Sequence, residues 1–142
     1  MKPFRPLVAI PILLTALACD RRGPEDRVRA AFKACCAAVE AGDAGGAVAP
    51  LDDSFRGPDG MDRATARLFL MGLLRRQRVG LTVIRNQIRP DGSDLVQEVD
   101  LVVTGREAGL LPADASRRSF VLRWRERQSD WRLVELQSPE GP

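Results

Sequence analysis

The stretch from Ser116 to Gln137 confines this chain to a small set of folds, because it reads as two amphipathic strands joined by a polar turn. Phe120, Leu122 and Trp124 alternate with Val121, Arg123 and Arg125, the two-residue period of a strand with one buried face. Gln128, Ser129 and Asp130 supply the turn, and Trp131, Leu133, Val134 and Leu136 provide apolar residues for a return strand. A two-stranded hairpin is marginal in water on its own. The remaining residues must therefore cover its apolar face.

The upstream half has helical spacing. Pro24 suits the first turn of a helix reaching about Ala41, and Glu25 and Asp26 put negative charge where the helix dipole favours it. Val28, Phe32, Cys35 and Val39 recur at four, three and four residues, so they share one face. Gly42 ends this helix, and Asp43 is placed to cap a short second one from about Ala44 to Ala49. Only a strand stub, Ser54 to Arg56, is expected before the turn Gly57-Pro58-Asp59-Gly60. Asp62 then caps a third helix from about Arg63 to Gln77. Leu68 to Leu74 carries no charge, which predicts burial on more than one side, against sheet and helices or a second subunit.

Strands follow. One runs from about Val79 to Arg89, with Leu81 and Val83 alternating with Thr82 and Ile84, and Pro90-Asp91-Gly92 turns the chain. Next, Leu95, Val99, Leu101 and Val103 share a face with Gln97, while Glu98, Asp100 and Thr104 lie opposite. A connection from Arg106 to Ala115, containing Leu110, Leu111 and Pro112, leads back to the hairpin. No link between strands has the pattern of a crossover helix, so an antiparallel meander is expected.

The first residues belong to a different physical regime. Lys2 and Arg5 precede an apolar run, Leu7 to Leu17, followed by small residues at Ala16-Leu17-Ala18, as in a secretory signal. The run is too short to span a bilayer as a helix. Removing residues 1–18 takes two of the 22 basic residues and none of the 19 acidic ones, which leaves a formal charge of +1. That balance offers no long-range field for nucleic acid. Cys35 and Cys36 are adjacent, too close for a relaxed bridge within a helix, and read as two small apolar residues at a helix interface.

Two resemblances follow from these residues. Leu14-Thr15-Ala16-Leu17-Ala18-Cys19 resembles the lipobox of bacterial lipoproteins, although Ala16 stands where a larger aliphatic residue is usual. It implies cleavage before Cys19, a diacylglyceryl thioether on that cysteine and a lipid-anchored domain in the bacterial cell envelope. Because Ala16-x-Ala18 also suits ordinary signal peptidase, a soluble periplasmic or secreted product is the alternative. On this reading residues 1–18 are a signal peptide, 19–24 a lipidated cysteine and tether, 25–138 the folded domain and 139–142 a tail.

From about Asp26 to Gln137, the order of helices and strands resembles the nuclear transport factor 2-like superfamily, including SnoaL-like and ketosteroid isomerase-like proteins. The matching points are Gly42-Asp43, Leu51-Asp52-Asp53-Ser54-Phe55, Gly57-Pro58-Asp59-Gly60, Asp91-Gly92, Trp124 and Trp131-Arg132-Leu133. The resemblance implies an α+β fold, a cystatin-like roll in which a curved antiparallel sheet wraps as a cone around three N-terminal helices. It also implies a pocket between sheet and helices that serves as active site, binding site for a small apolar molecule, or core. Many relatives dimerise through the outer sheet face.

The available side chains narrow the chemistry. The chain has no histidine and no tyrosine, so carboxylates alone could act as general acid or base. Glu98 and Asp100 share a strand face, and Asp53 stands before the strand stub. Ion pairs from Glu98 and Asp100 to Arg123 and Arg125 on a solvated face are the ordinary alternative. No catalytic residue is assigned. Gln97, which interrupts an apolar face, and Trp124 are the candidate ligand-binding residues, and Cys19 is the candidate lipidation site. No cofactor or metal site is expected, since the paired cysteines lack partners at zinc-ligand spacing. The expected function is that of an anchored, noncatalytic envelope protein binding a small apolar ligand or a protein partner, with a carboxylate hydrolase or isomerase and a structural dimer as alternatives.

Overall fold

A computed structural model of the chain describes residues 22–106 and 113–139. Residues 1–21, with Cys19 and the signal-like segment, lie outside the described residues, as do Leu110, Leu111 and Pro112. Three helices come first: α1 (Pro24–Glu40), α2 (Ala44–Val48) and, after strand β1 (Leu51–Arg56) and a 3₁₀ turn (Pro58–Gly60), α3 (Arg63–Arg76). Four long strands complete the chain: β2 (Arg78–Asp91), β3 (Asp94–Arg106), β4 (Ala113–Arg127) and β5 (Asp130–Gln137).

Local chemistry explains the helix ends. Asp43 accepts a hydrogen bond from the Gly46 amide at 2.9 Å, and Asp62 from the Thr65 amide at 2.8 Å, each satisfying an otherwise orphaned donor. Gly42 follows α1 with φ +76°, a conformation that glycine adopts without steric penalty.

The five strands form one sheet in the order β1-β5-β4-β3-β2. β2 to β5 are the expected antiparallel meander. β1 corrects the expectation of a stub: it is six residues long and pairs parallel to β5, with Leu51 opposite Leu133. A parallel partner 82 residues away in sequence leaves no local signature. The turns are tighter than expected, since Pro90 and Asp91 are still paired in β2 and Gly92 and Ser93 alone reverse the chain. Pro90 is tolerated because β2 is an edge strand, where a missing N–H breaks no second ladder. Gln128 and Ser129, both at positive φ, join β4 to β5.

One face of the sheet packs on the helices. Val28 and Phe32 of α1, Val48, Leu51, Phe55 and Ala66 meet Leu95, Val99, Leu101, Leu122, Trp124 and Leu133 in a single buried cluster. The expected stripe on α1 is thus the inward face. α3 does not behave as its uncharged stretch predicts. Ala66 is its one fully buried residue, whereas Leu68 is 69% and Phe69 57% exposed. The helix packs against α2, β1 and the edge strand β2, and among the described residues nothing covers the flank that carries Leu68 and Phe69.

Candidate functional site

The inner face of β3 carries one polar side chain among aliphatic ones. Gln97 sits between Leu95 and Val99 and is completely buried. Its amide is satisfied at both ends: Oε1 accepts from Trp124 Nε1 at 2.9 Å, and Nε2 donates to Asn86 Oδ1 at 2.9 Å. Asn86 reaches this position because β2 bulges between Val83 and Arg85, which shifts its alternation by one residue. Asn86 then stands opposite Val99 and Ile88 opposite Gln97, while Val83 and Ile84 at the bulge are exposed. The relay holds the Trp124 ring in one orientation without placing a charge in the interior. Trp131 differs: its Nε1 is buried with no hydrogen-bond partner among the described residues.

In front of Trp124 lies a cavity of about 540 Å³ between sheet and helices. Phe32, Cys35, Cys36 and Val39 of α1 form one wall, Phe69 and Leu73 of α3 another, and Leu81, Val99 and Trp124 of the sheet a third. The volume is in the range of small-molecule pockets, and the lining is almost wholly hydrocarbon. The two candidate ligand-binding residues therefore part company. Trp124 lines the cavity, and Gln97 stands behind it as the group that orients the indole.

Three polar side chains also border the cavity, none of them singled out in the sequence for it. Asp59 is the cavity's one carboxylate among the described residues, on the exposed 3₁₀ turn, at φ +57°. Cys35 donates through its Sγ to the Ala47 carbonyl at 3.0 Å. Burial, and secondarily the neighbouring Cys36, push its pKa up to about 12, and burial followed by Glu40 takes Cys36 to about 11. Both are free thiols, protonated at neutral pH and poor nucleophiles. The four-and-three spacing of α1 placed Cys35 on the inward face, but no sequence signal distinguishes a packed face from one lining a cavity.

The carboxylates named as possible catalytic groups lie elsewhere. Asp100 accepts from Ser119 Oγ at 2.8 Å and Arg117 at 3.0 Å and faces Arg85 at 3.3 Å; these contacts hold its carboxyl below the usual carboxylate range, the Ser119 bond foremost. Glu98 meets Arg85 at 3.4 Å and Arg89 at 4.0 Å. Both are on the outer face of β3, away from the cavity lining. Asp53 is almost fully exposed and pairs with Arg63 at 3.3 Å.

The ion pairs were expected, but with other partners. Arg125 and Arg123 bind Asp94, and Arg123 also reaches Asp91 at 2.8 Å and Glu135 at 3.8 Å. The β3–β4 register sets Leu95 opposite Trp124 and Asp100 opposite Ser119, which moves Arg123 and Arg125 to the other end of β3. Among the described residues no cluster of three metal-ligating side chains occurs.

Solved structures supply the comparison. An NTF2-like protein from Cytophaga hutchinsonii superimposes with a TM-score of 0.64 at 14% identity, over 82% of this chain and 98% of its own. A Nostoc punctiforme protein of unknown function with a cystatin-like fold gives 0.65 at 15% identity, over 83% and 93%. The chain has the cystatin-like, NTF2-like fold. A protein from Novosphingobium aromaticivorans provisionally called a scytalone dehydratase gives 0.69 at 10% identity, over 80% and 83%. No protein-family model and no curated protein sequence matches the chain. At these identities the likeness establishes the fold and leaves the activity to the site itself.

Proposed function

We propose that this protein is a lipid-anchored envelope protein whose cone binds a small apolar molecule, without chemistry on it. The observation that carries this reading is the cavity of about 540 Å³, walled by hydrocarbon and backed by Trp124, with Glu98, Asp100 and Asp53 all away from its lining. An apolar ligand gains from leaving water for such a cavity and requires no polar partner there. Trp124, held by Gln97 and almost wholly covered by its packing, closes the inner end of the cavity. The thiols of Cys35 and Cys36 serve as soft, uncharged parts of the wall.

Anchoring is proposed from Leu14 to Cys19, with a diacylglyceryl group on Cys19. Acyl chains on one cysteine bury enough methylenes to keep a domain of this size on a membrane. Related folds include a protein provisionally called a dehydratase. A reaction of that kind in this cavity would have to rest on Asp59 or on protonated thiols, which is why binding is the better reading.

The test is native mass spectrometry of the full chain extracted gently from membranes. The expected result is an added mass on Cys19 together with a dissociable apolar molecule that is absent after Leu101→Arg, a charge introduced into the cavity wall. Folded wild-type protein without any bound apolar molecule, and unable to take up a fluorescent fatty acid, would overturn the ligand reading. An unmodified Cys19 would overturn the anchor.

A further inference from the structure

α3 departs from the rest of the molecule in two ways at once. Its uncharged stretch leaves Leu68 and Phe69 in solvent, 69% and 57% exposed. Its charged residues, Arg63, Arg67, Arg75 and Arg76, are all basic, and Arg78 follows at the start of β2. Arg63 meets Asp53, but among the described residues Arg67, Arg75, Arg76 and Arg78 make no ion pair within 4.0 Å, although Arg67 and Arg75 share a hollow with Asp43. On the sheet Arg85, Arg89, Arg117, Arg123, Arg125 and Arg127 each pair with at least one carboxylate, while Arg56, Arg118 and Arg132 make no ion pair among the described residues.

The geometry of the helix brings these two features together. Residues seven apart are separated by two turns and lie nearly above one another, so Arg75 follows Leu68 and Arg76 follows Phe69 along one exposed flank. Arginines in the last turn also suit the helix dipole. That role leaves Arg67 and the two exposed apolar side chains unaccounted for. Phe69 belongs to both environments, since it is exposed and also lines the cavity.

We propose that α3 docks on the surface of an anionic lipid bilayer. Leu68 and Phe69 enter the boundary between headgroups and acyl chains, and Arg75 and Arg76, flanked by Arg67, lie against lipid phosphates. A helix with apolar side chains beside unpaired arginines binds such a surface by burying hydrocarbon and by attraction to its negative charge. Charge decides between this occupant and a second copy of the chain. α3 contains no acidic residue, so two copies packed face to face across a two-fold axis would set arginine against arginine. Docking also gives the apolar ligand of the cone a source, because Phe69 separates the cavity from the docked face. In that respect alone it rests on the ligand reading above.

The test uses the full chain carrying Leu68→Trp, a site exposed enough that the larger ring disturbs no packing. Phe69→Trp serves as a second probe. Tryptophan quenching by brominated acyl chains is measured on the vesicle-bound fraction, so that attachment through the first residues is common to all arms. Wild type gives the background from Trp124 and Trp131. On phosphatidylglycerol vesicles the probe is expected to be quenched at least about threefold more than on phosphatidylcholine, and Arg75→Gln with Arg76→Gln to return it to the phosphatidylcholine level.

Three results would overturn the proposal: no quenching above wild type, equal quenching with and without the arginines, or a probe that becomes shielded in lipid-free protein as concentration rises, which marks a protein interface. Cavity occupancy is read separately by native mass spectrometry. An empty cone with a quenched probe removes the ligand reading and leaves docking in place; a filled cone with an unquenched probe does the reverse.

Discussion

Alternate residues of β3 face two different solvents. Leu95, Gln97, Val99 and Leu101 look into the cone, and the one polar group among these four is a neutral amide with a partner at each end. Asp94, Glu98 and Asp100 look outward and are charged, each against one or more arginines from neighbouring strands. Between them Val96, opposite Arg123, is almost wholly buried on that outer face, as expected where long arginine stems cover apolar surface. The contrast follows from desolvation. Asp94 and Asp100 are themselves only 7% exposed, but the arginines that cover them return charge and hydrogen bonds for the hydration lost, whereas inside the cone an ion would lose its hydration with little in return. Polarity on the inner face of β3 is therefore confined to a fully hydrogen-bonded amide, and the cavity lining is almost wholly hydrocarbon.

The comparison is broken most directly from the inside. Trp124→Ala removes the largest fully buried side chain and should lower stability by about 3 to 5 kcal/mol in urea denaturation. A loss below about 1 kcal/mol would mean that the ring is not core. Trp124→Phe keeps most of the volume but leaves Gln97 Oε1 buried without its donor, for an expected loss of about 1 to 3 kcal/mol. If Gln97→Leu in that background restores stability, the penalty is the orphaned amide and not the smaller ring.

The outer face should respond to pH where the inner one does not. Asp94 is held below the usual carboxylate range, chiefly by its hydrogen bond from Arg125 and secondarily by Arg123. A depressed folded-state pKa contributes stability that is fully present above the unfolded value of about 3.9 and is lost as pH falls through the folded value. Tm should accordingly be flat from neutral pH to about pH 5, then decline, and Asp94→Asn should show a lower plateau with a shallower decline. An unchanged acid limb in that variant would assign the decline to other carboxylates such as Asp100. The smallest effect concerns the cavity wall. Because burial keeps Cys35 and Cys36 protonated, iodoacetamide at pH 7.5 should label the folded chain far more slowly than the unfolded chain, as followed by mass spectrometry.

Much of the cone was legible in the amino-acid sequence. The caps Asp43 and Asp62 start helices where their short acidic side chains can reach the next turn, and the inward faces of α1, β3 and β4 follow from their periods. The cavity itself was legible only as a property of the resembling fold; Cys36 and Phe69 were read as packed residues and not as its wall, and Asp59 was read only as part of a turn. Whether an inward-facing side chain touches another or borders empty space depends on the curvature of the sheet, which no local pattern encodes.

The misread features share a cause. Arg123 and Arg125 were matched to Glu98 and Asp100, and the β3–β4 register gives them Asp94 instead. The bulge at Ile84 brings Asn86 to Gln97, and β1 finds β5 across most of the chain. Leu68 and Phe69 have the composition of core residues and lie in solvent.

By itself the amino-acid sequence determined which residues share a face, where helices begin, that the fold is α+β, and that histidine and tyrosine chemistry is absent, because these depend on covalent geometry and neighbours a few residues apart. Tertiary structure alone decided strand register, the parallel β1–β5 pair, the placement of every candidate carboxylate outside the cavity lining, and the exposure of α3. Each of these depends on which distant elements the folded chain brings opposite one another, and on how much water that arrangement leaves between them.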